Sequence, residues 1–419
     1  MVHSGAALIA ERIDSAPEDK LPWIGALLGF LSQNLRYPER SRMEHTPWSV
    51  IQSTEAFIQE HVGTQCNFII RPQWRYNYSI SEDYVSKYKE LFDSLTPWIS
   101  AADLGGRIGD VANKRIYCIS FPRVEKMNIL SHVNWGHEVG HILGSVWERT
   151  HFSALWASEE GTILARARSL LPTGTSSADA NLKTAQFLDK TMMLTKRAFS
   201  EFISDAVGMH LFGPAAFASL AEFSCRYELD HNPAESNGYP PWRYRLRRIG
   251  NGSVVPITLG SRILWHRKLV RYIQWNRQWE ALTKDTTDQT VIASDHGCQE
   301  AYRVVEVHWP DVWRDVLQQL DPALRVPYDI TSRYAAVGAL IDRIGRGLPP
   351  NEYGRWPDMQ PALIADIWNA AWACKVTRSI SSADDYEDHL RVLFQLTLKA
   401  IEASHVQMTF GKKRIPDTT

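Results

Sequence analysis

The sequence predicts a mainly α-helical fold with one small β-sheet, an α+β protein. Apolar residues recur at three- and four-residue spacing over most of the chain. β-branched and aromatic runs with strand character are confined to the first third. Gly, Pro, Asn and Ser gather into a few separated loops, as they do between helices.

Residues 5–15, 21–36, 48–62 and 82–95 carry the helical spacing near the N-terminus. Two strand-like runs lie between the third and fourth of these, Cys66 to Ile70 and Trp74 to Ile80. A further strand is expected from Arg115 to Phe121, ended by Pro122. A long helix follows, from about Met127 to Trp147. The loop Thr173 to Ser177 leads to a second long helix over roughly 181–211, stopped by Gly213-Pro214. Leu229 to Pro241 is loop. From about Ser261 the chain reads as helices, interrupted between Gly347 and Pro361. A boundary near 255 divides an expected domain of 1–255 from a helical C-terminal region of 256–419.

The chain has 419 residues, 46 Lys plus Arg and 47 Asp plus Glu. This balance gives no basic surface for nucleic acid or anionic lipid. The five cysteines stand far apart with no CxxC, which disfavours a disulfide framework or a thiolate zinc site and suits a reducing cytoplasm. The longest apolar run near the N-terminus, Leu21 to Leu31, is too short to span a bilayer. A soluble protein without a membrane span is expected.

The chemistry concentrates in His137-Glu138-Val139-Gly140-His141. On a helix the two histidines are about 40° apart around the axis and about 6 Å along it. Both imidazoles can then grip one ion, while Glu138 reaches a neighbouring water as a general base. Trp135, Val139, Ile142 and Leu143 make the helix apolar, so these polar groups would be buried at a cost unless a metal or partners compensate. Gly136, Gly140 and Gly144 would admit a close neighbouring backbone. The plainer alternative is a chance pattern.

A catalytic zinc takes three protein ligands. A third His six residues after His141 is absent, because position 147 is Trp and the next histidine is His151. Glu201 and Asp205 offer another solution. Four apart on a helix, they share a face: Glu201 would be the third ligand, and Asp205 would accept the free ring N–H of a ligand histidine. Ala206 and Gly208 would let the two helices pack closely. The plainer reading is a solvated acidic face, against which stand the apolar neighbours Phe199, Phe202, Ile203 and Val207. His132, His151, His210, His266, His296 and His308 have no useful ligand spacing.

HEVGH followed by EFISD resembles the HExxH…ExxxD pair of the gluzincin metallopeptidases. The 60 residues from His141 to Glu201 and the Pro240-Pro241…Arg245 stretch are most similar to the family of the HtpX heat-shock protease and the CAAX prenyl protease. The likeness covers roughly 110–250. It departs from the family where Tyr239 replaces a usual His and where membrane spans are missing. It implies a zincin-like metallopeptidase core and a single Zn²⁺ per chain. It also implies peptide-bond hydrolysis with Glu138 as general base and Arg245, or less strongly Tyr239 or His231, facing the oxyanion. The expected partner is a protein or peptide substrate, added as an extra strand along an open edge of Arg115–Phe121. The alternatives are a catalytically silent zinc-containing scaffold that binds peptide and a dedicated regulatory or defence effector protease.

Overall fold

The computed structural model describes residues 2–29, 66–74, 77–81, 93–96, 98–99, 115–253, 266–320, 322, 325–355 and 357–412. It is mostly helical with a small sheet, and it forms two compact units, Met1–Met127 and Asn128–Thr419. Among the described residues no helix is long and apolar enough to cross a membrane.

The first unit opens with helix α1 (Val2–Arg12), 3-10 turns at Ile13–Ser15 and Glu18–Lys20, and a helical stretch over 21–29. The helix expected at 48–62, and most of that at 82–95, fall outside the described residues. The sheet comprises β1 (Cys66–Gln73), β2 (Ser79–Ser81) and β3 (Arg115–Pro122) in the order β1-β3-β2. β1 runs parallel to β3, from Cys66 opposite Arg115 to Gln73 opposite Pro122. β2 pairs antiparallel, with Ile80 opposite Ile119.

Two expectations change here. The second strand starts at Ser79 and not at Trp74, whose ring is exposed under the Arg123 guanidinium. The third strand is central and has no open edge over Cys118–Ser120. Tyr117 through Phe121 are all buried, so both faces of β3 are covered. A peptide cannot add alongside it there.

The second unit begins with a 3-10 turn (Ser131–Asn134) and helix α2 (Trp135–Trp147). A π-helical turn (Glu148–Phe152) joins α2 without a break to α3 (Ser153–Ser169). The 36-residue α4 (Ser177–Phe212) is capped by Ser176, whose hydroxyl accepts from the Asp179 N–H. Gly213, at φ +57°, ends it, and Pro214 starts α5 (Pro214–Ser224). Then follow α6 (Trp242–Ser253), α7 (Arg267–Thr283), α8 (Thr287–Ala293), α9 (His296–Gln319), α10 (Tyr334–Gly345), the short pair β4 (Glu352–Tyr353) and β5 (Gln360–Pro361), α11 (Ile364–Val376) and α12 (Ala383–Lys412).

Helix α4 is the axis of this unit. α2, α3 and α9 pack along it, and α11 packs against α5, α7, α10 and α12. The boundary expected near 255 falls within 254–265, outside the described residues. On either side of it α6 and α7 pack together, and both belong to the compact unit Asn128–Thr419. α11 reaches back to the start of the unit. The Trp368 indole donates to the Ile129 carbonyl at 3.2 Å, and the Asn369 amide donates to the last carbonyl of α4, that of Phe212, at 2.9 Å.

Candidate metal centre

α2 and α4 touch through small residues. A Cβ on Gly140 would lie 2.3 Å from Ser204 Cα, and one on Gly136 would lie 2.7 Å from the Phe212 ring and 3.1 Å from Gly208 Cα. A Cβ on Gly208 would stand 3.3 Å from the His137 backbone nitrogen. The crossing is therefore backbone against backbone at Gly136, Gly140, Ser204 and Gly208. Ala206, expected at this contact, is half-buried elsewhere, and Ser204 takes its place. Glycine lowers helix propensity by roughly 1 kcal/mol per residue, and this approach is what the loss permits.

The close crossing brings the polar side chains of both helices together. His137 Nε2 lies 3.5 Å from Glu201 Oε2, and His141 Nε2 lies 3.9 Å from Glu201 Oε1. The rings of His137 and His141 meet edge to face with centroids 4.6 Å apart. One ligand atom each of His137, Glu138 and His141 falls within 4.8 Å of the others. Glu201 is only 2% exposed.

Second partners orient both rings. His137 Nδ1 is 2.8 Å from Asp205 Oδ1, and His141 Nδ1 is 3.1 Å from Ser200 Oγ. With Nδ1 carrying the proton in each ring, both Nε2 lone pairs face Glu201. Burial pushes the His141 pKa down to about 3, so this ring stays neutral. Burial also opposes a charge on His137, but the hydrogen bond and charge of Asp205 outweigh it and raise its pKa.

Arg245 explains how two acids stay ionised in the interior. It donates from Nε and Nη2 to both Asp205 oxygens at 2.8 and 2.7 Å, and its Nη1 lies 3.1 Å from Glu201 Oε2. The Trp242 ring supports the guanidinium at 4.2 Å. Burial alone would raise the pKa of Glu201 and of Asp205. Arg245 reverses this and holds both below the ordinary carboxylate range.

His137, His141 and Glu201 thus lie side by side, and Asp205 lies against the His137 ring. The residues expected at the oxyanion are arranged differently. Arg245 is 2% exposed and committed to two carboxylates, so it anchors them from behind. Tyr239 is 39% exposed, and its ring lies 3.6 Å beneath the guanidinium of Arg197. His231 directs its ring nitrogens to the carbonyls of Glu228 and Tyr239 and so braces the loop. Other histidines named from the sequence have partners of their own. His132 is stacked on Trp135, His210 sits against Trp313, and His308 pairs with Glu159.

Two participants escape the sequence motifs. Ser200 sits beside Glu201 and carries no spacing signal of its own. Arg197, one turn before Glu201, brings Nη2 to 3.2 Å from Glu201 Oε1. The i,i+4 spacing was the available signal, but it ordinarily marks a solvated surface pair.

The distances admit a tetrahedral zinc. Ligand atoms about 2.0–2.1 Å from such an ion stand about 3.4 Å from one another, close to the 3.5 Å separation of His137 Nε2 and Glu201 Oε2. Two neutral imidazole nitrogens and one carboxylate are a donor set that zinc accepts. No protein-family model, curated protein or solved structure matched the chain on comparison.

Proposed function

We propose that this chain is a zinc-dependent endopeptidase with a zincin-like core, akin to the gluzincins, holding one Zn²⁺ on His137, His141 and Glu201. The observation that carries the proposal is the convergence of two Nε2 atoms on the buried Glu201 carboxylate at 3.5 and 3.9 Å. Asp205 and Ser200 fix the ring orientations that this convergence needs.

The ion supplies Lewis acidity toward water and carbonyl. The chain supplies the proton traffic. Glu138 takes a proton from the water whose oxygen attacks the scissile carbon, and the carbonyl π pair moves onto its oxygen. When the C=O bond re-forms, the C–N bond breaks, and Glu138 gives the proton to the leaving nitrogen. Arg245 keeps Glu201 ionised and Asp205 keeps the His137 ring aimed throughout. The substrate in this reading is a protein or peptide. Cys118, Cys225, Cys298 and Cys374 are free thiols, which suits a reducing cytoplasm.

The nearness of Glu138 to both histidines favours one other reading. If Glu138 closes the fourth position as a ligand, the chain is a catalytically silent zinc scaffold. Glu138→Gln separates the two. The peptidase retains one zinc per chain and loses cleavage of a peptide library by about 10²- to 10⁴-fold. Loss of zinc on substitution favours the scaffold, and unchanged cleavage removes Glu138 as base.

A further inference from the structure

We infer that Arg197 is the group that receives the substrate's developing oxyanion, and that Tyr239 is the platform that holds it there. The inference rests on the peptidase reading above and names a residue that the sequence motifs did not supply.

The two arginines at Glu201 differ in what they are free to do. Arg245 is sealed behind the carboxylates, with three contacts to Asp205 and Glu201. Arg197 stands on the other carboxylate oxygen, with 31% of its side chain open to solvent. Its single ion-pair contact is at 3.2 Å, although a guanidinium carries five N–H donors. Its Nε is buried and has no hydrogen-bond partner among the described residues. A partly open cation therefore borders the Glu201 carboxylate, with more N–H groups than its one ion pair uses.

Its position is built and does not result from a loose side chain. The Tyr239 ring lies flat beneath it at 3.6 Å. Gly238, at φ +82°, turns the loop so closely that a Cβ there would come within 3.1 Å of Arg197 Cβ. His231 and Ser236 both reach the Tyr239 carbonyl. Tyr239 thus acts through its ring and not through its hydroxyl.

Charge points the same way. Glu201 pairs with Arg197 and Arg245, Asp205 pairs with Arg245, and Glu138 lies beside the two histidines. A dication added to these five groups would leave one positive charge in excess; when Glu138 takes the water's proton, the negative charge it gives up reappears on the carbonyl oxygen, where a cation is needed to receive it. As water attacks and its proton passes to Glu138, the carbonyl oxygen gains a full negative charge, and Arg197 donates an N–H to it. As the C–N bond breaks, that charge returns to the C=O bond and Arg197 releases the oxygen.

The test uses the full chain, zinc and methylphosphonate as a tetrahedral anion, with binding read by titration calorimetry. Arg197→Ala should weaken methylphosphonate binding to the zinc-loaded chain at least about tenfold. It should also leave zinc binding as tight or tighter, since a positive charge next to the cation is removed. Tyr239→Phe should bind both as the parent does, and Tyr239→Ala should lose methylphosphonate affinity. A merely structural Arg197 would weaken zinc and anion together, and that result overturns the inference, as does an unchanged anion affinity. A parent that binds zinc but no methylphosphonate also overturns it while leaving the zinc site standing. A parent that takes up no zinc at His137 and His141 ends the peptidase reading and this inference with it. If the alanine chain melts too early to measure, Arg197→Lys is read instead. Zinc binding should then hold while anion binding weakens at least about threefold for want of the planar fork, and equal anion affinity overturns the proposal.

Discussion

Two histidines in this protein meet a glutamate or aspartate at the same distance. His137 lies 2.8 Å from Asp205, and His308 lies 2.8 Å from Glu159. Their surroundings separate them. Asp205 is buried, Arg245 takes both its oxygens, and the second nitrogen of His137 faces Glu201. Glu159 shares its other oxygen with Arg303, which also pairs with Glu300 in a chain of partly exposed charges between α3 and α9. A 2.8 Å contact says nothing by itself about function. The distinction lies in burial and in what the unused ring nitrogen faces. In one pair that nitrogen aims at a buried carboxylate, and the other pair ties together two surface helices.

The contrast can be broken most directly at Asp205. Asp205→Asn should cost about 3–5 kcal/mol in urea unfolding, because it removes one of the two buried carboxylates that balance the Arg245 charge. Zinc affinity should fall about 10- to 100-fold as His137 loses its anchor. The acid limb of the stability curve changes too. The folded pKa of Asp205 is depressed, so its contribution is complete above the unfolded value and disappears as pH falls below about 4 toward the folded value. The amide that replaces the carboxylate cannot titrate, so melting temperatures of the variant should depend less on pH in that window. An equally steep acid limb would move the acid sensitivity to other carboxylates.

A middle-sized effect comes from the helix crossing. Gly140→Ala must part α2 from α4, since its Cβ would collide with Ser204 Cα at 2.3 Å. The expected loss is about 1–3 kcal/mol or more, with weaker zinc binding. Gly144→Ala is the control. Its Cβ meets Ile203 at an ordinary 3.6 Å, so melting should be unchanged or raised. Equal behaviour of the two alanines would refute the close crossing. The smallest effect belongs to His308→Ala. Breaking its pair with the partly exposed cluster should cost about 1 kcal/mol or less and leave zinc binding untouched.

The facing side chains of α2 and α4 were legible in the sequence because helical periodicity does not depend on the rest of the fold. Spacing of four fixed the shared face of His137 with His141 and of Glu201 with Asp205, and the glycines at 136 and 140 announced a close neighbour. Sequence order fails once a role depends on tertiary direction. Arg245 and Arg197 are equally basic in the sequence, and only the folded chain separates an anchor behind the carboxylates from a cation at their open side. Strand β3 was legible as a strand, but its central place depends on pairing with β1, 49 residues earlier by register. The contacts of Trp368 and Asn369 span 239 and 157 residues, beyond any local pattern.

Those two contacts impose an order in time. The ribosome delivers the HEVGH helix early and the Glu201 helix next, yet the Ile129 and Phe212 carbonyls accept from Trp368 and Asn369 only once α11 has been made. The Phe212 ring, which presses on Gly136, meets its own neighbour Trp368 only then. A nascent chain therefore carries His137, His141 and Glu201 well before it carries the helix that buttresses them. The cluster on α2 and α4 is fully seated only after α11 has joined them.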